Sequence, residues 1–487
     1  MSKTRLIDIR EDDRFHDECG VFGVFRNPGA GALAALGLHA LQHRGQEAAG
    51  IVTCDDGRFR AERHIGLVSD NFTNAAIIDR LKGDSAVGHN RYSTTGEPAL
   101  HNVQPLFAET GVGSIAVAHN GNITNALSLR ETLRNRGSIF QSTSDTEVLI
   151  HLLATSSKES MVERFVDGVR QLEGAFALVA LTDTMMIGCR DALGIRPLVL
   201  GDYEGAFVLA SETCALDIIG ARLVREVEPG EMLIITDDTV ESLRPFPSTA
   251  SRFCIFEYVY FARPDSTVSG NNVYEVRKRI GAELAREAPA PADVVVPVPD
   301  SGTPAAIGYA ECSALPFDLG IIRNHYVGRT FIEPSDQIRH MGVKLKHNAN
   351  RGVLSGKRVV LVDDSIVRGT TSVKIVQMVR DAGAEEVHMR IASPPTIQSC
   401  YYGVDTPERS KLIAARMGTE ELARHIGVDS LAYISIDGLY RAAGELRRDP
   451  AKPQYCDACF SGQYPTSLTD RSSLARAKQV SLLEASG

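Results

Sequence analysis

The stretch that most constrains the fold is "VVLVDDSIVRGTTS", residues 359–372. Its unbroken apolar run is typical of a strand buried on both faces, and two aspartates end that run. A short loop then leads into a hydroxyl-rich segment that begins a helix. A buried strand that passes directly into a helix is a unit of an α/β fold. The stretch therefore predicts a parallel sheet in this part of the chain.

The segments around this stretch extend the same pattern through the second half of the chain. Helical patterns at 274–288 and 371–383 alternate with β-branched strands at 292–302, 357–365 and 384–393. Strands that alternate with helices indicate a parallel sheet. We therefore expect an α/β domain here.

The first half of the chain has a different pattern. Short apolar or alternating runs predict strands, and "ALAALGLHALQHRG" (32–45) and "SDTEVLIHLLATS" (144–156) predict helices. This mixture indicates an α+β layered domain. The chain becomes turn-rich at "LRPFPSTASR" (243–252), so the boundary between the two domains is predicted near residue 250.

The end of the strand at 359–364 has the composition of a phosphate and sugar site. Backbone N–H groups at a helix start, together with Thr370, Thr371 and Ser372, suit a phosphate. Asp363 and Asp364 cannot hold a phosphate themselves, but carboxylates at this edge of a sheet suit ribose hydroxyls and magnesium. The alternative is a solvated acidic turn. The stretch resembles the phosphoribosyl pyrophosphate (PRPP) signature of type I phosphoribosyltransferases, which implies that Ser365, Arg368 and Gly369 also bind PRPP.

Two further segments fit a pyrophosphate. "VPDSG" (298–302) ends the preceding strand, where Ser301 is placed to help hold pyrophosphate and its magnesium ion. Residues 323–351 carry several basic side chains, Arg329 and Lys344 among them, and few acids. We expect a mobile basic segment that closes over the pyrophosphate and excludes water. The alternative is an ordinary solvated loop.

Cys19 begins the first apolar run, "CGVFGVF", behind a leader of mostly polar residues, 1–18. No conventional base stands near it in the sequence. If residues 1–18 were removed, the α-amino group of Cys19 could serve as its base. The alternative is a cysteine buried inertly in the core.

Other polar groups of the first half are suited to assist Cys19. Asn120 and Gly121, expected in a tight turn of "AHNGN", can present an amide side chain and a backbone N–H, as in an oxyanion hole. Arg91 and Asp145 carry the opposite charges needed for the carboxylate and the ammonium group of an amino acid.

From residue 19 to about 465 the chain resembles the glutamine PRPP amidotransferase family. "CGVFG", "LQHRGQE", "HNGN" and "SDTE" are shared with other N-terminal-nucleophile amidotransferases, whereas "EYVYFARPDS", "NHYVGRTFI" and "VDDSIVRGTT" match this family specifically. The resemblance implies a propeptide (1–18), an N-terminal-nucleophile glutaminase domain (19–250), a phosphoribosyltransferase domain (251–466) and a polar tail (467–487), which we expect to be loosely held.

The same resemblance implies the chemistry. Cys19 would be the glutaminase nucleophile, Asn120 and Gly121 the oxyanion hole, and Arg91 and Asp145 the glutamine-binding pair. Ammonia would travel inside the protein, along a wall that includes Tyr326, to form 5-phosphoribosylamine, with glutamate and pyrophosphate as the other products. Purine nucleotides would be feedback inhibitors, and the enzyme would be a homotetramer.

Four of the nine cysteines carry a further prediction. Cys456 and Cys459 have C-x-x-C spacing, which by itself fits a redox motif or half of a zinc site. The resemblance adds Cys254 and Cys400, as in the cluster-bearing branch of the family. Spacing alone does not separate a zinc site from a [4Fe–4S] cluster, and the resemblance favours the cluster. Cys54, Cys189, Cys214 and Cys312 are expected to be buried hydrophobic residues.

Composition narrows the function classes. The net charge of −9 argues against a general nucleic-acid surface. The leader resembles no secretory or mitochondrial signal, and no apolar stretch is long enough for a membrane span, so we expect a cytoplasmic protein. Two rivals are another amidotransferase, such as a glucosamine-phosphate or asparagine synthase, and a non-catalytic PRPP sensor. The PRPP signature argues against the first rival, and the joint presence of Cys19, Arg91, Asn120 and Asp145 argues against the second.

Overall fold

The computed structural model describes residues 19–92, 99–237, 239–324 and 347–471. In the first half, thirteen strands form two antiparallel sheets. These strands are β1 (Gly20–Phe25), β2 (Ala48–Asp55), β3 (Arg58–Ile65), β4 (Ser85–Arg91), β5 (Leu106–Thr110), β6 (Gly113–Ile123), β7 (Gly174–Leu181), β8 (Met186–Arg190), β9 (Val199–Tyr203), β10 (Ala206–Ala210), β11 (Arg222–Glu226), β12 (Met232–Ile235) and β13 (Val240–Leu243).

The two sheets pack face to face. The seven-stranded sheet has the order β11-β9-β10-β1-β4-β2-β3, and the six-stranded sheet has the order β13-β12-β8-β7-β6-β5. Val21 and Val87 of one sheet share a buried cluster with Val179 and Leu181 of the other. β1 and β7 are buried along their whole length, which explains their continuous apolar runs.

Helices cover the outer face of each sheet, so the first half has four layers. The helices Ala30–Ala40 and Cys214–Ile219 pack on the first sheet. The second sheet is covered by the helices Ala126–Asn135, Thr146–Thr155 and Met161–Val169. This half also contains two short helices, Val68–Asn71 and Ala75–Ile78, and a 3₁₀ helix, Leu100–Asn102. The predicted α+β layered domain is confirmed.

The second half contains the predicted parallel sheet, in the order β17-β20-β21-β22. Its strands are β17 (Val294–Pro297), β20 (Arg358–Asp363), β21 (Glu386–Ile391) and β22 (Ser430–Tyr433), and the short strands around them are β14 (Phe253–Cys254), β15 (Thr267–Val268), β16 (Asn271–Asn272), β18 (Ile321–Arg323), β19 (His347–Ala349) and β23 (Tyr455–Cys456). The helices are Val273–Glu287, Thr303–Ser313, Arg351–Leu354, Thr370–Asp381, Thr419–Ile426, Ile436–Ala442 and Ala458–Ser461, with a π-helical turn at Glu257–Phe261.

The first and last parts of the second half meet. β14 and β23 form a parallel pair in which Cys254 lies opposite Cys456. The predicted boundary at residue 250 falls between β13 and β14. One buried cluster includes Ala175 and Ile195 of the first half among many side chains of the second half. The two halves therefore share a core at their junction.

The polar tail begins differently from our expectation. Asp470 accepts hydrogen bonds from Leu127 N (2.7 Å) and from the Ser128 hydroxyl (2.6 Å), at the start of the helix Ala126–Asn135. Thr469 donates to Glu173 over 2.6 Å. The expectation that the tail is loosely held is therefore wrong for the described residues 467–471, because their polar groups form hydrogen bonds with the first half.

Within the described ranges, no helix combines the length and the apolar composition that crossing a membrane requires.

Candidate active site

Cys19 stands immediately before β1, at the edge where β1 pairs with β4. It is half-buried, and its Sγ lies 3.6 Å from the carbonyl oxygen of Tyr92. A Cβ atom at Gly20 would come within 3.1 Å of Leu41 Cβ, so the chain just after Cys19 runs close to the segment that follows the first helix. The thiol is thus held at a fixed strand end and not deep in the core.

Arg91 ends β4 beside Cys19 and is buried. Burial lowers the pKa of Arg91, while Cys19, Glu47 and Asp145 lie close enough to favour its charge. The fold thus brings Cys19, Arg91 and Asp145 into one region, as the interpretation of a glutamine site requires.

Asp145 precedes the helix Thr146–Thr155 and is buried. Its Oδ2 accepts a hydrogen bond from Ile123 N (2.9 Å) and lies 3.8 Å from His119 Nδ1. Burial by itself would raise the pKa of Asp145, but His119 and the backbone N–H groups of Ile123 and Thr146 outweigh burial and lower it. Asp145 is therefore held as a carboxylate, the form that binds an ammonium group.

Asn120 and Gly121 do not occupy a tight turn, so that expectation is wrong. Both lie within the long strand β6, paired with β7. Asn120 is fully buried, and neither its Nδ2 nor its Oδ1 has a hydrogen-bond partner among the described residues. Leaving a buried amide unpaired is costly, so such a group is expected to bind a ligand.

Gly121 has a backbone conformation that only glycine readily adopts, with φ at +140°. A Cβ atom there would come within 2.1 Å of Ala175 O on β7. Gly403 of the second half also lies close to Gly121, because a Cβ atom at Gly403 would approach Gly121 Cα to 3.0 Å. This contact between Gly121 and Gly403 had no signal in the sequence.

A second centre lies at the carboxyl end of β20. Asp363 and Asp364 are buried there, and Asp364 accepts one hydroxyl hydrogen bond on each oxygen. Ser301 donates to Oδ1 and Ser365 donates to Oδ2, each over 2.6 Å. The "VPDSG" loop and the strand end, which were predicted separately, therefore meet at Asp364.

The helix Thr370–Asp381 begins beside these carboxylates. Gly369 precedes it with φ at +81°, and a Cβ atom there would lie 2.8 Å from Ile413 Cδ1. Ser372 is buried in the first turn, whereas Thr370 is exposed, Thr371 is half-buried and Arg368 lies half-buried in the preceding loop. Backbone N–H groups at the start of a helix suit an anion.

The four cysteines of the predicted cluster line one cavity, together with apolar side chains and Arg196: Cys254, Cys400, Cys456 and Cys459. Burial raises the pKa of Cys456 to about 12. Burial, followed by the proximity of the other three cysteines, raises the pKa of Cys459 well above its ordinary value. In the described ranges, no three His, Cys, Asp or Glu side chains are arranged to hold one metal ion.

The remaining cysteines divide into two groups. Cys54, Cys189 and Cys214 are buried, as expected. Cys312 is exposed, so the expectation that it is a core residue is wrong. It lies on the solvent side of the last turn of the helix Thr303–Ser313. The sequence around Cys312 did not indicate which side of the helix it would face.

A buried chain of charges joins the two halves. His43 Nε2 lies 2.6 Å from Glu212, and Glu212 also pairs with Arg44. Arg44 Nη2 lies 2.6 Å from Glu257, whose other oxygen lies 3.3 Å from Arg196 Nη1. "LQHRGQE" and "EYVYF" marked two of these segments as motifs, but the sequence did not indicate that they contact each other.

Several predicted residues lie outside the described ranges. They are the leader (1–18), most of the basic segment with Arg329 and Lys344, the channel residue Tyr326, and the end of the tail.

Comparisons with known proteins show similarity along nearly the whole chain. Residues 89–217 match a family described as a glutamine amidotransferase domain. The chain is 57% identical to the amidophosphoribosyltransferase of Rhizobium etli, over 99% of this chain and 98% of that protein. It is 48% identical to the amidophosphoribosyltransferase of Bacillus subtilis, over 97% of this chain and 99% of that protein.

A solved structure is similar over nearly the same length. It is the glutamine PRPP amidotransferase from B. subtilis complexed with ADP and GMP. The TM-score is 0.88 at 48% identity, and the match covers 92% of this chain and 98% of that one.

Proposed function

The chain belongs to the amidophosphoribosyltransferase family, and we propose that Cys19 is the residue with which it cleaves glutamine. The enzyme hydrolyses glutamine and channels the ammonia to PRPP. It forms 5-phosphoribosylamine, glutamate and pyrophosphate, which is the first committed step of de novo purine (IMP) biosynthesis.

The glutaminase step uses Cys19, Asn120 and Gly121. The Cys19 thiolate attacks the side-chain amide carbon of glutamine, and negative charge develops on the amide oxygen. The Asn120 Nδ2 group and the Gly121 N–H donate to that oxygen. The observation that carries this assignment is the fully buried Asn120 amide, which has no hydrogen-bond partner among the described residues, beside a glycine with φ at +140°.

Residues 1–18 form a propeptide whose removal exposes the α-amino group of Cys19. That amine takes the proton of the thiol and later passes it to the leaving ammonia. Mass spectrometry of the amino terminus tests this step, and we expect a chain that begins at Cys19. A fully active enzyme that retains residues 1–18 would contradict it.

Arg91 and Asp145 hold the backbone of glutamine. Arg91 binds the α-carboxylate and Asp145 binds the α-ammonium group. The lowered pKa of Asp145 supports this role, because Asp145 stays ionised at neutral pH. Two opposite charges at fixed positions select a free amino acid over a peptide.

The PRPP site is formed by the end of β20 and the helix that follows it. Asp363 and Asp364 bind the ribose hydroxyls, and the segment from Ser365 to Ser372 receives the 5-phosphate. Arg329 and Lys344 bind the pyrophosphate. Ser301, Asp363 and Asp364 offer the oxygen ligands that magnesium prefers, and magnesium usually adds substrate oxygens to one or two carboxylates. When bound, the ion would neutralise the pyrophosphate as it leaves.

Cys254, Cys400, Cys456 and Cys459 hold one [4Fe–4S] cluster, as in an iron–sulfur, propeptide-bearing branch of the family. Four thiols around one apolar cavity fit such a group, because metal binding removes thiol protons and so offsets the raised pKa values of Cys456 and Cys459. The choice of the cluster over a four-cysteine zinc site rests on the resemblance to the cluster-bearing branch. The cluster would link the beginning and the end of the second half and make the enzyme sensitive to oxygen.

Purine nucleotides regulate the enzyme, and its assembly is a homotetramer. The similar B. subtilis structure contains ADP and GMP, and another similar structure is described as the allosteric regulatory enzyme of purine biosynthesis. These descriptions support nucleotide inhibition. Sedimentation of the purified enzyme with and without GMP tests the tetramer.

The experiment that tests the glutaminase assignment is an Asn120→Ala variant assayed with two nitrogen donors. Pyrophosphate release with glutamine should fall about 100- to 1,000-fold, the cost of losing an oxyanion donor. Release with added ammonia should be unchanged. Normal glutamine-dependent turnover in this variant would overturn the assignment.

A further inference from the structure

The segment Tyr401–Gly403 of the second half lies directly against the strand that carries Asn120 and Gly121. We infer that this segment positions the oxyanion hole of the glutaminase half, with Gly403 and Asn122 as the positioning residues. The inference rests on the proposed role of Asn120 and Gly121. It adds that a segment of the phosphoribosyltransferase half sets the geometry of the glutaminase site.

Two contacts attach the segment to β6. Asn122 Nδ2 donates to Tyr401 O over 2.9 Å. Gly403 has φ at +114°, and a Cβ atom there would lie 3.0 Å from Gly121 Cα, 3.1 Å from Gly121 C and 3.3 Å from Gly121 O. These distances are shorter than ordinary van der Waals contacts. Any side chain at residue 403 would therefore force either Gly121 or the backbone at residue 403 to shift.

β7 also contacts Gly121. Gly121 lies opposite Phe176 in the pairing of β6 with β7, and a Cβ atom at Gly121 would lie 2.1 Å from Ala175 O. The backbone around Gly121 is therefore in close contact with both β7 and Gly403. An oxyanion hole depends on such fixed placement, because its donors stabilise the transition state only when they are already aimed at the developing charge.

The segment itself is held rigidly. Tyr402 is buried, its carbonyl accepts from Arg196 Nε (2.8 Å), and its hydroxyl accepts from Thr466 N (3.1 Å). Its N–H lies 3.3 Å from Cys400 Sγ, at the cysteine cavity. Tyr402 is thus held by Arg196 of the first half and by Thr466 and Cys400 of the second half, so the segment can act as a rigid support for Gly121.

This arrangement predicts a specific kinetic effect. Displacement of Gly121 weakens the binding of the tetrahedral intermediate and leaves the glutamine contacts of Arg91 and Asp145 intact. An interaction made only in the transition state lowers kcat and leaves KM unchanged when it is lost. General destabilisation would instead reduce the glutamine and ammonia reactions together.

The test is Gly403→Ala, with Gly444→Ala as the matched control. Gly444 has a similar φ of +102°, and a Cβ atom there would meet nothing within 4 Å. In Gly403→Ala we expect kcat with glutamine to fall about 10- to 100-fold, which is less than the loss expected when a whole oxyanion donor is removed. The KM for glutamine and the ammonia-dependent rate should be unchanged. Gly444→Ala should match the wild type in both reactions.

A second readout reports on the oxyanion hole itself. The aldehyde analogue of glutamine forms a tetrahedral adduct with a thiol, and its affinity should fall in Gly403→Ala by the same factor as kcat. If Gly403→Ala does not yield folded protein, Asn122→Ala carries the same test, since it removes the amide that donates to Tyr401 O.

The outcomes separate this inference from the proposed function. If Asn120→Ala impairs glutamine use but Gly403→Ala and Asn122→Ala do not, the inference is wrong and the oxyanion hole stands. If Asn120→Ala has no effect, the oxyanion assignment fails first. Equal losses with glutamine and ammonia in Gly403→Ala would also overturn the inference.

Discussion

Arg44 Nη2 lies 2.6 Å from Glu257 Oε2, in an ion pair that is fully buried between the two halves of the chain. Arg196 approaches the other oxygen of the same carboxylate. One negative charge thus serves an arginine of the "LQHRGQE" motif and an arginine whose Nε donates to Tyr402 O. Removing that charge should therefore destabilise the junction of the two halves more than removing a charge from an exposed ion pair would.

Glu257→Gln should therefore destabilise the protein strongly. The substitution keeps the shape but removes the charge that Arg44 and Arg196 share, and breaking a buried pair costs about 3 to 5 kcal/mol. We expect a clearly lower midpoint of thermal unfolding. Glu228→Gln is the control, because Glu228 pairs with Arg244 in solvent, where such pairs contribute about 0 to 1 kcal/mol. Equal midpoints for the two variants would contradict the prediction.

Cys19→Ala should separate the two activities. Without its nucleophile the enzyme should lose at least about a thousandfold in glutamine-dependent synthesis. Synthesis from added ammonia should persist, since the proposed PRPP site lies in the other half of the chain. Pyrophosphate release with each nitrogen donor measures both rates. A folded variant that had lost both activities would count against two separate sites.

Asp363→Asn and Asp364→Asn should both impair the ammonia-dependent reaction. Each removes a carboxylate at the end of β20, and Asp364→Asn also weakens the acceptor shared by Ser301 and Ser365. Loss of positioning of this kind costs on the order of a hundredfold in kcat/KM for PRPP. Asp381→Asn, at the exposed far end of the following helix, is the control. Normal PRPP kinetics in both variants would mean that the sugar site is elsewhere.

The cysteine cavity predicts a measurable metal content. Protein purified without oxygen should be brown and contain about four irons per chain. Cys456→Ser should give poorly folded protein, because ligation ties β23 to β14 and contributes folding energy. Cys312→Ser is the matched control, since Cys312 is exposed and away from the cavity. A colourless, zinc-loaded and fully active wild-type preparation would rule out the cluster.

His89 predicts a pH dependence of stability. Burial lowers its pKa to about 3 in the folded protein, whereas an unfolded histidine takes up a proton near pH 6.5. Between these values the unfolded chain binds more protons, so this contribution to stability is present above about pH 6.5 and is lost as the pH falls toward 3. As the pH is lowered, the thermal midpoint of His89→Gln should fall less steeply than that of the wild type. His425→Gln is the control: His425 is exposed, so the midpoint of this variant should depend on pH as steeply as that of the wild type. Parallel slopes for all three proteins would refute this.

Much of the fold was predictable because burial leaves a local pattern. The continuous apolar runs of β1, β7 and β20 and the strand–helix alternation after residue 250 are properties of short segments, and the structure contains these elements. Asn120 and Gly121 were identified by residue type, yet their placement in a turn was wrong. Paired strands can hold a glycine at positive φ without ending, and the sequence pattern does not distinguish that case from a turn.

By itself the sequence determined the two kinds of domain and the chemical groups available, Cys19, Asp363 and Cys456 among them. Only the tertiary structure decided which groups meet: Gly403 with Gly121, Ser301 with Asp364, and Glu257 with Arg44. The physical reason is that the spacing of apolar residues and the types of side chain can be read within a short segment of the sequence. Contacts between distant segments depend instead on how sheets and helices pack around shared cores, and no short stretch of sequence contains that information.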